Sequence, residues 1–255
     1  NSDKNFDESR AARKIAEYLK TNHTEFQISP AELVKAVDQM SNIYTEPFSD
    51  SSQIPTFLLC QKVRENGFKV ALTGDGGDEL FAGYNRHIFI PKIINNISTM
   101  PEKVRNNLKN FILFFKSVSS SFYEDKLQKL YLSIENSSNL YDLYKSLRSV
   151  SFDIQSQTDI SKLALSYLNN ESNNSSILRR ILIADLVCYL PNDVLTKVDR
   201  ASMSVGLECR APFLSNEVFQ TSLLFDNKEL ISKGLGKMPL RNLLSAYIPH
   251  KYITQ

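Results

Sequence analysis

Apolar residues recur at helical spacing through most of the first 65 positions of the chain. Between residues 8 and 20 they form one stripe, made of Ala12, Ile15, Ala16 and Leu19. Ser29 is followed by proline and, three positions later, by Glu32, an arrangement that predicts a capped helix start. A further helix is predicted for residues 55–65, and a short strand for 24–28. The N-terminal quarter is therefore expected to be mainly helical.

A short β-prone run, Phe68–Leu72, ends directly at a cluster of glycines. A nearly continuous apolar run of this length is typical of a strand that is buried on both faces of a parallel sheet. The run therefore indicates an α/β domain, with the glycine cluster at the carboxyl end of a parallel strand.

The middle of the chain, residues 90–170, predicts a block of helices. Glycine is absent from it, and apolar residues recur at intervals of three and four, with one stripe formed by Leu127, Leu130, Tyr131 and Ile134. After a polar loop at 169–176, a helix is predicted for 177–190 and is expected to stop at Pro191. We expect one domain with three parts: an α/β part at 1–89, the helical block at 90–170 and a helical return at 171–255.

Charge and composition exclude several classes of partner. The 255 residues include 30 Lys+Arg and 28 Asp+Glu, a net charge of +2 with both signs interspersed, so no nucleic-acid partner is expected. The apolar runs are far shorter than the roughly 20 residues of a membrane-spanning helix, so no membrane partner is expected. Three scattered cysteines without a CxxC motif indicate reduced thiols and a cytoplasmic location.

Half of the eight glycines lie within the twelve positions from Thr73 to Tyr84. They are Gly74, Gly76, Gly77 and Gly83. Glycine allows tight turns and a close approach of the backbone to a ligand. A loop between a parallel strand and the start of a helix is a common place for phosphate groups. This segment is therefore the first candidate for a nucleotide site.

Acidic residues in the same loop affect how it could bind a phosphate group. Asp75, Asp78 and Glu79 would repel a polyphosphate unless Mg²⁺ lay between them. The alternative is an ordinary turn into a helix with an acidic start, which the helix dipole favours without any ligand. For an isolated loop the alternative is the stronger interpretation, and only the wider sequence reverses that preference.

Two long segments resemble the synthetase domain of bacterial glutamine-hydrolysing asparagine synthetases. The first runs from Val70 to Arg86, includes the glycine loop and follows a shorter similar stretch, Asp50-Ser51-Ser52. The second runs from Leu190 to Met203 and continues from Gly206 to Leu214. Two long motifs in the right order indicate that the resemblance covers nearly the whole chain.

The resemblance implies an α/β fold of the ATP-pyrophosphatase type (adenine-nucleotide α-hydrolase-like, with a PP-loop) and a large helical portion. It also implies a carbon–nitrogen ligase of asparagine biosynthesis that binds ATP and Mg²⁺. Such an enzyme converts the β-carboxylate of aspartate into an adenylate with release of pyrophosphate. Ammonia, delivered from glutamine by a glutaminase domain, then displaces AMP.

On the nucleotide side, the resemblance assigns roles to five residues of the glycine loop. Asp78 would bind Mg²⁺ or the pyrophosphate, beside the glycines Gly74, Gly76 and Gly77. Asp75 would be the acid/base residue that assists the attack of ammonia.

On the amino-acid side, the resemblance places Glu208 as a catalytic residue and Asp199 as a substrate ligand. Lys197 and Arg200 are also assigned to the substrate. For these two cations an alternative stays equally open: with Asp193 they form a solvated charged ridge along a helix.

The two carboxylates at 199 and 208 lie nine positions apart, nearly opposite each other on a straight helix, at about 100° per residue. They converge only if the helix ends between them, so a turn is predicted at 204–207, with Gly206 as the stopping point. The alternative is a structural pair of Glu208 with Arg210, and Asp199 in solvent.

Three family segments do not occur in these 255 residues. They are a Ser-Gly-Gly-x-Asp-Ser phosphate loop expected before Asn1, a Lys-x-Gly-Phe segment expected after Gln255, and the glutaminase domain. We therefore expect a fragment that is inactive by itself. The alternatives are amidation of another carboxylate (as in surface-sugar amidation), an amide-ring-forming relative, and a non-catalytic interaction module. The oligomeric state stays open, with a homodimer as one alternative.

Overall fold

The computed structural model describes residues 8–118, 121–148, 163, 166–169 and 175–253. The predicted polar loop at 169–176 therefore lies mostly outside the described residues. The described part is mainly helical, with one parallel sheet of two strands. It forms two compact units, the first from described residues of 1–76, 190–221 and 238–255, the second from those of 77–189 and 222–237. Among the described residues, no helix combines the length and apolar character needed to cross a bilayer.

The elements follow one another along the chain in a mainly helical order. They are α1 (Ser9–Leu19), α2 (Pro30–Ile43), α3 (Gln53–Glu65), β1 (Val70–Leu72), α4 (Gly77–Phe81), α5 (Asn85–Asn96), α6 (Glu102–Val118), α7 (Ser121–Glu135), α8 (Leu140–Arg148), α9 (Ile177–Ala184), a π-helix (Asp185–Leu195), α10 (Thr196–Met203), β2 (Glu208–Arg210), a 3-10 turn (Pro212–Leu214), α11 (Asn216–Leu224), α12 (Asn227–Leu230), α13 (Met238–Ser245) and a last 3-10 turn (His250–Tyr252).

The predicted start of α2 is confirmed in detail. The Ser29 hydroxyl accepts a hydrogen bond from the Glu32 backbone N–H, and the Glu32 carboxylate accepts one from the Ser29 N–H. This reciprocal arrangement satisfies two backbone donors that a helix start otherwise leaves unpaired. The predicted strand at 24–28 is wrong, because no described strand pairs with it and its backbone is irregular.

The first unit is built around the parallel pair β1 and β2, in which Val70 lies opposite Glu208 and Leu72 opposite Arg210. Its core combines residues of α2, α3 and α10, namely Ala36, Phe57, Leu58, Cys60, Ala201 and Leu207. Ala71 packs against this core, whereas Leu72 is 73% exposed. The prediction of a strand buried on both faces is therefore wrong: among the described residues, helices cover only the face with Ala71.

The second unit is helical, and its core lies between α5, α8 and α9. It includes Ile90, Leu140, Leu143, Tyr144, Leu168, Ile181, Ala184 and Cys188. The helix predicted for 177–190 does not stop at Pro191 as expected. It continues as a π-helix (Asp185–Leu195), and Pro191, which has no donor N–H, lies inside that helix.

Candidate active site

The carboxyl end of β1 leads into the loop that the sequence singled out. Beyond the paired strands, the Thr73 N–H donates to the Arg210 carbonyl at 2.8 Å, and the Glu208 N–H donates to the Lys69 carbonyl at 2.9 Å. These bonds extend the parallel ladder at both ends and hold Thr73 against β2. Asp75 therefore emerges at the carboxyl edge of the sheet, the usual place for ligands in α/β folds.

One cavity of about 450 Å³ opens at this edge within the first unit. Three of the predicted carboxylates, Asp75, Asp199 and Glu208, line it. The other lining residues are Thr73, Pro191, Leu195, Thr196, Val198, Ser202, Met203, Cys209 and Ala211. The cavity therefore combines acidic groups at its rim with an apolar wall from the π-helix and α10.

The convergence of Asp199 and Glu208 depends on a turn between them. Helix α10 ends at Met203, and Gly206 adopts a left-handed backbone with φ of 69°. The Leu207 N–H donates back to the Ser202 carbonyl at 3.0 Å. The predicted turn at 204–207 is thus confirmed, and it lets α10 and β2 both reach one cavity.

Glu208 also makes the contact that the alternative interpretation expected. Its Oε1 accepts a hydrogen bond from the Arg210 Nε at 2.8 Å. Both side chains are more than half exposed, so the pair contributes little to stability. Because the pair is exposed, Glu208 stays accessible to a ligand in the cavity.

The two cations assigned to the substrate differ in their surroundings. The Lys197 Nζ lies 2.6 Å from Asp50 Oδ2 and donates to the Ser52 hydroxyl at 2.8 Å. Arg200 is exposed and does not line the cavity. Neither cation is therefore among the cavity residues, in contrast to the carboxylate on the same helix.

The glycines of the loop have different structural requirements. Gly76 has φ of 88°, and a Cβ there would collide with the Leu214 side chain. Gly74 has open space around the position of a Cβ, so its glycine is not required by packing. Gly77 is the first residue of α4.

Asp78 lies in the second unit, at the start of α4. Its Oδ1 is 2.9 Å from the Lys237 Nζ, and both side chains are about one-third exposed. The Lys237 N–H donates to the Phe81 carbonyl at 2.9 Å, which places the lysine beside the carboxylate. Asp78 is thus an accessible carboxylate with a cation next to it.

Glu79, by contrast, points into the interior of the second unit. It is 1% exposed and accepts a hydrogen bond from the Tyr84 hydroxyl at 2.6 Å. Burial raises the pKa of Glu79 above its usual value, despite the bond from Tyr84. The idea of three neighbouring loop carboxylates around one Mg²⁺ therefore does not extend to Glu79.

A second polar network in this unit was not anticipated from the sequence. Asp185 is fully buried; its Oδ2 accepts hydrogen bonds from His87 Nε2 at 2.6 Å and Arg86 Nε at 2.9 Å. The Tyr144 hydroxyl donates to its other oxygen at 2.6 Å. Burial alone would raise the pKa of Asp185, but the bonds from His87 and Arg86 hold it below its usual value.

Among the described residues, no three His, Cys, Asp or Glu side chains are grouped to hold a metal ion. Mg²⁺ that is bound to ATP requires fewer protein ligands, commonly one or two carboxylates, because phosphate oxygens supply others. Asp78 meets that requirement as a carboxylate that is about one-third exposed. A single carboxylate of this kind can hold Mg²⁺ only together with ligands that the protein does not supply, such as phosphate oxygens.

Several cavity residues were missed by the sequence reasoning, although all of them lie inside the segments that carry the resemblance. Thr73 precedes the glycine loop, and Thr196 and Ser202 flank Asp199 in the second segment. Their hydroxyls have no distinguishing pattern in the sequence. The one available signal is their spacing from Asp199, because residues three or four positions apart share a face of a helix.

The family model for asparagine synthase matches residues 1–255. The glutamine-hydrolyzing asparagine synthetase 1 of Bacillus subtilis is 24% identical over 262 residues, which cover 98% of this chain and 39% of that protein. A provisionally named glutamine-hydrolyzing asparagine synthetase of Methanocaldococcus jannaschii is 30% identical over 210 residues, 78% of this chain and 38% of its own length.

A plant relative is similar over a shorter segment. The glutamine-hydrolyzing asparagine synthetase 2 of Lotus japonicus is 38% identical over 79 residues, 29% of this chain and 13% of its own. No solved structure was found to match the chain. The chain spans about two fifths of the length of the first curated relatives that it matches. From the match of the family model over all 255 residues, the chain belongs to the asparagine synthase family.

Proposed function

We propose that the full-length protein amidates the β-carboxylate of aspartate at the expense of ATP. The observation that supports this most directly is the meeting of Asp75, Asp199 and Glu208 around one cavity at the carboxyl end of β1. The family match makes asparagine synthesis the natural chemistry for such a cavity. The domain would then be an α/β domain of the ATP-pyrophosphatase type.

In the first step, an oxygen of the aspartate β-carboxylate attacks the α-phosphorus of ATP. The bond from that phosphorus to the pyrophosphate breaks, giving a β-aspartyl-adenylate and pyrophosphate. Gly74, Gly76 and Gly77 let the backbone approach the phosphates closely. Asp78 would hold Mg²⁺ that accompanies ATP, and the ion would offset the negative charge of the phosphates.

In the second step, ammonia derived from glutamine attacks the acyl carbon, and AMP leaves. The nitrogen gives up a proton, and we assign its acceptance to Asp75, which is half-buried and lines the cavity. Asp199 and Glu208 supply negative charge to the ammonium group of aspartate. Arg200 is exposed on α10 outside the cavity lining, so its assignment to the α-carboxylate of aspartate stays a prediction from the resemblance.

The test is an assay of pyrophosphate release by the full-length protein with ATP, Mg²⁺ and ammonia. We expect release that depends on aspartate, and asparagine as the product in amino-acid analysis. Glutamate, one methylene longer, serves as the control substrate. Release that another carboxylate supports and aspartate does not would contradict the proposal.

Site variants make the test specific to this cavity. Asp75→Asn and Asp199→Asn are expected to lower aspartate-dependent release at least about 100-fold, a typical effect of losing one group that stabilises the reacting charge. Asp38→Asn, in an exposed position on α2 of the same unit, is the matched control and should keep full activity. Equal losses in all three variants would show that the cavity is not the site.

A further inference from the structure

Lys197 and Asp199 lie on different sides of α10. Two positions apart, they differ by about 200° around the helix axis. Asp199 lines the cavity, whereas the Lys197 ammonium group contacts Asp50 Oδ2 at 2.6 Å and the Ser52 hydroxyl at 2.8 Å. The lysine therefore ties the far side of α10 to the segment that begins α3.

The receiving side of this contact is itself held in place. Asp50 Oδ1 accepts hydrogen bonds from the Ser52 N–H and the Ser52 hydroxyl, both at 2.7 Å. The Lys197 and Asp50 side chains are only 15% and 17% exposed. Burial would raise the pKa of Asp50, but the bonds from Lys197 and Ser52 keep it below its usual value, so the carboxylate stays ionised.

A second bond attaches the same residue to α2. The Tyr44 hydroxyl, at the carboxyl end of α2, donates to the Lys197 backbone carbonyl at 3.3 Å. Helix α10 directly follows a π-helix, whose i→i+5 turns are wider and rarer than those of an α-helix. The first turn of α10 is thus positioned by these tertiary contacts.

The rotation of α10 determines where its cavity-facing groups lie. With side chains a helix has a radius of about 5–6 Å, so a rotation of about 20° moves a side-chain head by roughly 2 Å. A misplacement of about 1 Å is enough to lower a catalytic rate by around 100-fold. The contact of Lys197 with Asp50 on the opposite face of α10 can therefore determine where Asp199 lies in the cavity.

We propose that Lys197 is a positioning residue, whose ion pair with Asp50 sets the rotation of α10 and so the place of Asp199 in the cavity. Lys197 then acts on the reaction through Asp199, without touching the substrate. The expected effect on the reaction rests on the proposed function, whereas the expected effect on the position of α10 does not.

The experiment compares Lys197→Met, Asp50→Asn, the double variant and Lys197→Arg in the full-length protein. We expect each of the first two to raise the KM for aspartate at least about tenfold while the KM for ATP stays within twofold. The double variant should lose no more than the worse single variant, because both remove one interaction. Lys197→Arg keeps the cation and should recover part of the loss.

The matched control is Lys62→Met, which removes a lysine from another ion pair of the same unit, at 3.5 Å from Glu32. Lys62 does not line the cavity, and its replacement should leave both KM values unchanged. If Lys197 contacts the substrate directly, Lys197→Met loses activity but Asp50→Asn does not, and the proposal is overturned.

A measurement without substrate separates this inference from the proposed function. In hydrogen–deuterium exchange, the α10 amides should exchange faster in Lys197→Met and Asp50→Asn than in the wild type, while the α13 amides stay unchanged. Unchanged α10 exchange in both variants refutes the positioning role, whatever the enzyme activity. If α10 exchanges faster in both variants but the wild-type protein has no aspartate-dependent activity, the positioning role of Lys197 is supported and only the proposed function is refuted.

Discussion

The ammonium group of Lys237 lies 2.9 Å from Asp78 Oδ1, and Gly83 leaves room for this contact. A Cβ on Gly83 would collide with the Asp78 carboxylate and the Lys237 side chain. A Cβ on Gly236 would collide with the Ala82 carbonyl. Lys237 itself has a left-handed backbone with φ of 57°, an unusual conformation for a residue with a side chain.

The crowding at Gly236 predicts a loss of stability on substitution. Gly236→Ala should lower the free energy of unfolding by about 1–3 kcal/mol, because the new methyl group meets a backbone carbonyl that cannot move independently. Gly74→Ala is the matched control, since nothing lies near its Cβ position. Chemical denaturation of both variants checks the difference. Equal stability of the two would contradict the packing argument.

Asp78→Asn in the full-length protein is expected to reduce activity far more than stability. The pair with Lys237 is partly exposed, so its loss should change the free energy of unfolding by no more than about 1 kcal/mol. Pyrophosphate release should fall at least about 100-fold if the carboxylate binds magnesium next to the reacting phosphates. Thermal melting and the release assay are compared on the same preparation. A fall in melting temperature large enough to explain the lost activity would count against the ligand role.

The buried pair of His87 and Asp185 predicts a stability that decreases towards acid pH. Burial lowers the pKa of His87, although its bond to Asp185 opposes this, so the folded protein holds the imidazole neutral. A lowered folded pKa stabilises the protein above the unfolded value, about 6.5 for histidine, and this stability is lost as the pH falls below it. The lowered pKa of Asp185 acts in the same direction below about pH 4, whereas the raised pKa of Glu79 opposes both.

Urea denaturation at a series of pH values from 7.5 to 5.0 measures this dependence. The free energy of unfolding should decrease across the range, and the decrease should be smaller in His87→Gln. Observation of the His87 imidazole by NMR supplies a check that needs no variant. A folded-state titration of His87 above pH 6.5 would refute the assignment.

The capping box of α2 predicts a further, purely local effect. Ser29→Ala removes the acceptor for the Glu32 N–H and should lower the free energy of unfolding by about 1 kcal/mol. Ser41→Ala, an exposed position inside the same helix, is the control and should be neutral or slightly stabilising, since alanine favours helix. If the two substitutions have the same effect in thermal melting, the cap does not stabilise the helix start.

Local features of the chain were predictable because they depend on near neighbours. The start of α2 at Ser29 and Pro30, the helix stripe of α1 and the turn at Gly206 all follow from interactions within a few residues. The break expected at Pro191 did not occur, because the chain continues through it as a π-helix.

The sequence by itself determined the family and the segments around the cavity, since long motifs identify a chain without any knowledge of its contacts. Only the tertiary structure decided which side chains meet. Lys197 pairs with Asp50 across 147 positions, and His87 with Asp185 across 98, distances at which no periodicity relates two residues. Glu79 and Asp78 are adjacent in sequence, yet one is buried and the other partly exposed. Successive residues of a helix point about 100° apart, so neighbours such as Asp78 and Glu79 face different surroundings. The packing of α4, which no local pattern encodes, buries Glu79 and leaves Asp78 within reach of a ligand.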